Sequence, residues 1–188
     1  MSKRVVARRV DSVEDSSDCV CVFPSPIGWI GIVGRGDQVR AVLIGHGSAA
    51  SVRKAAQRSQ DAADRERRLV EADWHPLLKA RLQNFAEGQR VDFTEFQLQL
   101  PPRTPFRDRV LAATRRLGYG ETTTYGELAK RVGHPGAARA VGTVMSTNRF
   151  PILIPCHRVL AAGGKLGGYT SPAGVGLKQR LLDMERSG

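Results

Sequence analysis

Pro101-Pro102-Arg103-Thr104-Pro105 divides the 188-residue chain into two stretches of different character. Prolines at this density exclude helix interior and central strand alike, so the segment reads as a linker. The charge steps at the same point. Residues 1–100 carry 15 basic and 13 acidic side chains, a net of +2, and residues 101–188 carry 14 and 5, a net of +9. A surface for a polyanion therefore belongs to the second stretch. Nucleic acid is the leading partner, because neutralising phosphates releases counterions and rewards clustered Lys and Arg. The expected organisation is α+β, with domains at 1–100 and 101–188.

Upstream of the linker, Cys19-Val20-Cys21-Val22-Phe23 is a strand stopped by Pro24-Ser25-Pro26. Ile27 to Val33 follows as a second strand, Gly34-Arg35-Gly36-Asp37 as a turn, and Val39 to Ile44 as a third, which makes an antiparallel meander. Residues 49–68 have only a weak helical pattern, read as a surface helix or loose loop. His75-Pro76 opens a better helix with Leu77, Leu78, Leu82 and Phe85 on one face and Gly88 as its stop. Residues 91–100 alternate as a half-buried strand would, through Val91, Phe93, Phe96, Leu98 and Leu100.

Downstream the pattern turns helical. Thr104-Pro105 caps a helix running from Phe106 to the neighbourhood of Leu117, ended by Gly118-Tyr119-Gly120. Thr124-Tyr125-Gly126-Glu127 has the form of a capping box opening a short helix through Arg131. Gly133-His134-Pro135-Gly136 is a tight turn, and Ala137 to Thr147 is the next helix. Two short helices about a glycine-containing turn, on the basic stretch, have the form of a helix-turn-helix.

An apolar fraction of 41% can build a core. No apolar run is long enough to cross a bilayer, so no membrane partner is expected. The basic start, Met1 to Arg9, has no following apolar stretch and reads as a solvated tail rather than a secretory signal. Cys19, Cys21 and Cys156 do not form a disulfide framework, which points to a reducing compartment and a free thiol. A cytoplasmic protein is expected (nuclear in a eukaryote).

The chemistry lies in Asn148-Arg149-Phe150-Pro151-Ile152-Leu153-Ile154-Pro155-Cys156-His157-Arg158-Val159. Pro155 interrupts regular structure before Cys156, and the basic His157 and Arg158 follow it. A nearby cation favours the thiolate, which is the nucleophilic form. This string resembles the active-site signature of the O6-alkylguanine-DNA alkyltransferases, whose hallmark is Pro-Cys-His-Arg-Val. The resemblance extends through Tyr125 to Ala129, Ala137 to Gly142, Asn148, Gly167-Gly168-Tyr169 and the closing helix Lys178 to Glu185. It covers essentially all of residues 101–188. In residues 1–100 it is loose, resting on the Ser25-Pro26-Ile27-Gly28 turn and the His75-Pro76-Leu77 helix start.

The resemblance implies a ribonuclease-H-like N-terminal α/β domain and a mostly helical C-terminal domain of winged-helix, helix-turn-helix character. It implies direct-reversal DNA repair. By that resemblance the alkyl group on O6 of guanine in double-stranded DNA, or on O4 of thymine, would pass irreversibly to Cys156 in a single turnover. His157 would take the thiol proton through a water, Glu185 would orient the imidazole, and Asn148 would brace the turn. Tyr125 and Arg139 would drive base flipping, Arg139 filling the vacated stack from the minor groove, with Ala138 and Gly142 permitting close approach. Val159, Pro151, Tyr169, Thr170 and Ser171 would line the pocket. No cofactor and no metal are implied here. Some relatives hold a structural zinc, but the candidates Cys19, Cys21, His46 and His75 lack typical zinc spacing. A monomer in solution is expected, with cooperative assembly on DNA left open.

Two departures stand out. Arg149-Phe150 replaces the proline that usually follows the asparagine, and Arg149 adds a charge able to meet DNA. The loop Tyr169 to Gly176 is longer than the common form and carries Pro172. The rival readings are a lesion-binding protein without transfer, a transcription regulator altered by self-alkylation, and a cysteine hydrolase.

Overall fold

The computed structural model describes residues 17–60, 68–100 and 104–187. The basic tail at Met1 to Arg9 and the linker residues Pro101 to Arg103 lie outside the described residues.

The meander forms as its turn residues require. β1 (Asp18–Phe23), β2 (Trp29–Arg35) and β3 (Gln38–His46) pair antiparallel, with Cys21 opposite Ile32 and Ile32 opposite Val42. Gly36 takes φ 57° in the tight β2–β3 turn, a left-handed conformation that glycine adopts without a Cβ penalty. Alternation sends Cys21, Phe23, Ile30, Ile32, Val42 and Ile44 to one face and Val20, Val33 and Ala41 to the other.

The second face is covered by α1 (Ala49–Ser59), in the stretch whose periodicity was weak. The helix forms because Ser48 and Ser51 make a reciprocal capping box and Val52 and Ala56 pack on the sheet. It sits so close that a Cβ at Gly31 would lie 2.5 Å from Val52.

The sheet is mixed. Its order is β4-β1-β2-β3-β5, where β4 (Leu69–Glu71) runs parallel to β1 and β5 (Gln97–Leu98) parallel to β3. The strand expected over 91–100 shrinks to those two residues. Phe93 and Phe96 are buried, but a turn set by Asp92, which accepts from Thr94 N at 2.8 Å, produces their spacing. In α2 (Pro76–Ala86), Leu78, Leu82 and Phe85 are fully buried, whereas Leu77 is 51% exposed, so it does not share their face.

The C-terminal half contains α3 (Pro105–Arg115), β6 (Thr123–Thr124), α4 (Tyr125–Arg131) and α5 (Ala138–Ser146). A single 3-10 turn at Cys156–Arg158 leads into β7 (Val159–Leu160), and α6 (Gly174–Ser187) closes the chain. β6 and β7 pair in parallel, Thr123 with Val159 and Thr124 with Leu160. The capping box of α4 is present: Thr124 Oγ1 accepts from Glu127 N at 3.1 Å and Glu127 Oε2 accepts from Thr124 N at 2.9 Å. Thr124→Ala is expected to cost about 1 kcal/mol, read as a lower urea midpoint at unchanged slope.

One hydrophobic cluster joins the two halves. Ile30, Ile32, Val42, Leu78 and Phe85 belong to it together with Val110, Leu128, Val141, Phe150, Ile154 and Leu181. The nucleophile-bearing turn lies within this shared core.

Candidate active site

Cys156 is held by a short-range hydrogen-bond frame. Asn148 Nδ2 donates to Ile154 O at 2.9 Å, Asn148 Oδ1 accepts from Phe150 N at 3.0 Å, and Cys156 N donates to Ile154 O at 2.7 Å. Asn148 thus ties the two ends of the turn together. Ile152 within it takes φ 74°, a conformation rare for a β-branched residue.

In the same 3-10 turn, His157 Nε2 lies 2.9 Å from Glu185 Oε1, and both side chains are buried. Arg158 completes the cluster, donating from Nη2 to Glu185 Oε1 at 2.7 Å and from Nε to Oε2 at 2.9 Å. Its Nη1 donates to Leu117 O at 2.6 Å, and Gly120 N donates to Glu185 Oε2 at 3.1 Å. Burial alone would raise the Glu185 carboxyl, but hydrogen bonds from His157 and Arg158 outweigh it and hold the group down to about 2. A carboxylate accepting from Nε2–H leaves Nδ1 as the basic ring nitrogen. That Nδ1 has no hydrogen-bond partner among the described residues. Burial also lowers the His157 pKa against the pull of Glu185, so the resting imidazole is neutral near pH 7.

Burial pushes the Cys156 thiol up, while Asn148, Lys178 and Tyr169 pull it back. The resting group is therefore a thiol. Tyr169 adjoins the sulfur, but its buried hydroxyl makes no well-formed hydrogen bond among the described residues. Lys178 is fully buried, donates to Val159 O at 2.7 Å, and places Nζ 5.8 Å from the Tyr125 ring centre. Burial brings its ammonium down to about 8.

Cys156 opens into a cavity of about 300 Å³ lined by Tyr125, Gly142, Met145, Ser146, Gly168, Tyr169 and Thr170. That volume is at the lower end for a small-molecule site. A larger cleft of about 550 Å³, edged by Arg90, Arg115, Arg116 and Arg158, holds no nucleophile. The smaller cavity is therefore the candidate. Tyr125 and Gly142, expected at the DNA, line the cavity, and of the expected lining Tyr169 and Thr170 are present. Val159 is not, because it is fully buried beneath, with its carbonyl taken by Lys178. Pro151 and Ser171 line a separate cleft of about 200 Å³ toward β3, where the Ser171 hydroxyl donates to Ile44 O at 3.3 Å. Arg139 is exposed on α5, one helical turn before Gly142, and Ala138 is half-buried beside it. Arg149 departs from expectation: its guanidinium turns inward and donates to Ser59 O.

Residues 105–187 match the family model described as 6-O-methylguanine DNA methyltransferase, DNA binding domain. The fold of the whole chain carries the likeness further. It superposes on Mycobacterium tuberculosis OGT, solved in complex with DNA, with a TM-score of 0.72 and 30% identity, covering 90% of this chain and 93% of that one. The chain belongs to the 6-O-methylguanine DNA methyltransferase family. The corresponding protein of Pyrococcus kodakaraensis superposes with a TM-score of 0.67 at 26% identity, over 89% of this chain and 98% of that one. In sequence, the methylated-DNA–protein-cysteine methyltransferase of Mycobacterium tuberculosis is 47% identical over 97 residues, or 51% of this chain and 58% of that relative. That of Metallosphaera sedula is 41% identical over 122 residues, or 65% and 74%. The chain thus spans little more than half the length of the mycobacterial relatives it matches in sequence.

Two members of this site are not evident in the sequence around Cys156. Arg158 reads in the sequence only as a neighbouring cation, since its acceptors are Glu185 and Leu117, far along the chain. Lys178 did carry a signal. It sits on the apolar stripe of α6 beside Leu177, Leu181 and Leu182, and a charge on a buried stripe needs a partner.

Proposed function

We propose that this chain transfers the alkyl group from O6 of a guanine in duplex DNA to Cys156 Sγ, once per molecule, after the base has been flipped through the minor groove. The observation that carries this reading is a buried cysteine backed by a His157–Glu185–Arg158 cluster and opening into a cavity walled by Tyr125 and Tyr169. The named activity of the mycobacterial relatives and the DNA complex of the OGT structure support it.

The thiol proton leaves through a water to His157 Nδ1, and the imidazolium so formed is stabilised by Glu185. Sulfur attacks the alkyl carbon as the carbon–O6 bond breaks, and that electron pair passes to the purine. The Tyr125 hydroxyl supplies a proton to the departing guanine and takes one back from solvent as the His157 imidazolium releases its own, and the Lys178 ammonium favours the transient thiolate. The product is a thioether with no hydrolytic exit, so the protein is consumed.

Arg139 is exposed on α5, and its assigned part is to fill the gap left by the base. Arg139→Ala is expected to slow transfer from duplex DNA roughly tenfold or more while leaving transfer from free O6-benzylguanine unchanged, because only the first requires unstacking. Equal losses on both substrates would assign Arg139 a purely structural role.

The deciding experiment is intact-protein mass with peptide mapping after mixing the protein with a duplex containing one O6-methylguanine. A single methyl on Cys156, with stoichiometric loss of the lesion, is expected. Tight lesion binding with unmodified Cys156 would make this a damage-recognition protein.

A further inference from the structure

The turn that carries Cys156 is built against the N-terminal half, and Arg149 makes the joint. Along its outer edge β3 pairs with β5 only at Gln38 and Val39. Farther along, Val42 N donates to Arg149 O at 2.8 Å, so the turn takes over the edge where β5 stops. The Arg149 side chain donates to Ser59 O in the last turn of α1, where helix carbonyls lack internal partners and attract cations. One residue therefore grips a sheet edge with its backbone and a helix end with its side chain.

The neighbouring contacts run on to the nucleophile. Asn148, next in the chain, donates to Ile154 O, and the same oxygen accepts from Cys156 N. A hydrogen-bonded path thus leads from α1 through Arg149, Asn148 and Ile154 to the backbone of Cys156. The turn between them contains Ile152 at φ 74°, a strained conformation that persists only where its surroundings hold it.

We infer that Arg149 is a positioning residue for alkyl transfer: by tying the Cys156 turn to α1 and β3, it aims the sulfur into the cavity and gives the N-terminal half a part in the chemistry. This rests on the alkyl-transfer reading above.

The test is single-turnover transfer from duplex DNA carrying one O6-methylguanine, with DNA affinity measured in parallel. Arg149→Ala is expected to lower the first-order transfer rate roughly 10- to 100-fold, as a misplacement of about 1 Å does, with DNA affinity unchanged. Arg149→Lys keeps a donor for the Ser59 carbonyl and recovers most of the rate, which a generic loss of packing would not predict. Arg149→Gln, which keeps a shorter donor, provides an intermediate if alanine impairs folding. A folded Arg149→Ala protein with the wild-type rate overturns the inference. So does lost DNA affinity at an unchanged rate, which makes Arg149 a DNA contact. Iodoacetamide labelling of Cys156, located by peptide mapping, reads the turn without DNA. A several-fold change in Arg149→Ala that Lys reverses supports the tether even if wild-type protein takes no methyl from the lesion, and no change counts against it.

Discussion

Cys156→Ala is expected to accept no alkyl group and still to bind lesion-bearing duplex. The other two cysteines cannot substitute. Cys19 and Cys21 are buried in β1, and burial together with the Asp73 carboxylate pushes the Cys21 thiol up to about 12. The surfaces expected to hold DNA, on α4 and α5, contain no atom of Cys156, so affinity is retained. Alanine leaves a small void beside Tyr169 and Asn148, which costs about 1 kcal/mol, too little to unfold the protein. The check is intact mass and a gel-shift titration on one preparation. Methyl recovered anywhere on the alanine variant would remove Cys156 from its assigned role.

The second large effect is at Glu185. Its carboxylate accepts from His157, Arg158 and Gly120 N, and alanine would leave the Arg158 guanidinium buried without its counter-charge. Breaking one side of a buried pair costs about 3–5 kcal/mol, a large share of a typical domain's stability. Glu185→Gln keeps the shape and isolates the charge. It should fold, transfer slowly because the His157 tautomer is no longer dictated, and titrate differently. The Glu185 carboxyl sits at about 2 when folded, against an ordinary 4.5. A depressed folded pKa gives stability that is complete above the unfolded value and disappears as pH falls from about 4.5 toward about 2, worth roughly 3 kcal/mol here. Urea midpoints at pH 7 and pH 3 should therefore fall farther for wild type than for Glu185→Gln. Identical pH dependence in the two would show that Glu185 is not the group responsible.

What was legible in the sequence was mostly local. The β1–β2–β3 meander announced itself through alternating apolar residues and the Gly36 turn, and α4 through Thr124 and Glu127, whose contacts span three residues. The stretch at 91–100 deceived because a turn between Phe93 and Phe96 imitates the spacing of a strand. α1 was underrated because a helix lying this close over Gly31 has little room for large side chains, and small residues give a weak apolar signal. In the site, Cys156, His157 and Asn148 were readable from one string. Glu185 came through resemblance alone, since 28 residues separate it from His157. The Arg149 contact is illegible for the same reason. Its acceptor at Ser59 lies 90 residues away, and nothing near Arg149 in the sequence points to it.

The two-residue ladder between β6 and β7 has one more consequence. Thr124 pairs with Leu160, Tyr125 follows Thr124 directly, and Cys156 lies three residues before Val159, which pairs with Thr123. The residue expected to push on the nucleotide and the atom expected to receive the alkyl group are thus geared through one rung of backbone. A lever so short has little give. A force applied to α4 would reach the sulfur with almost no slack, and a mismatch in reach between tyrosine and thiol could not be absorbed by a flexible connector. Spacing along those two segments should accordingly tolerate substitution far better than insertion.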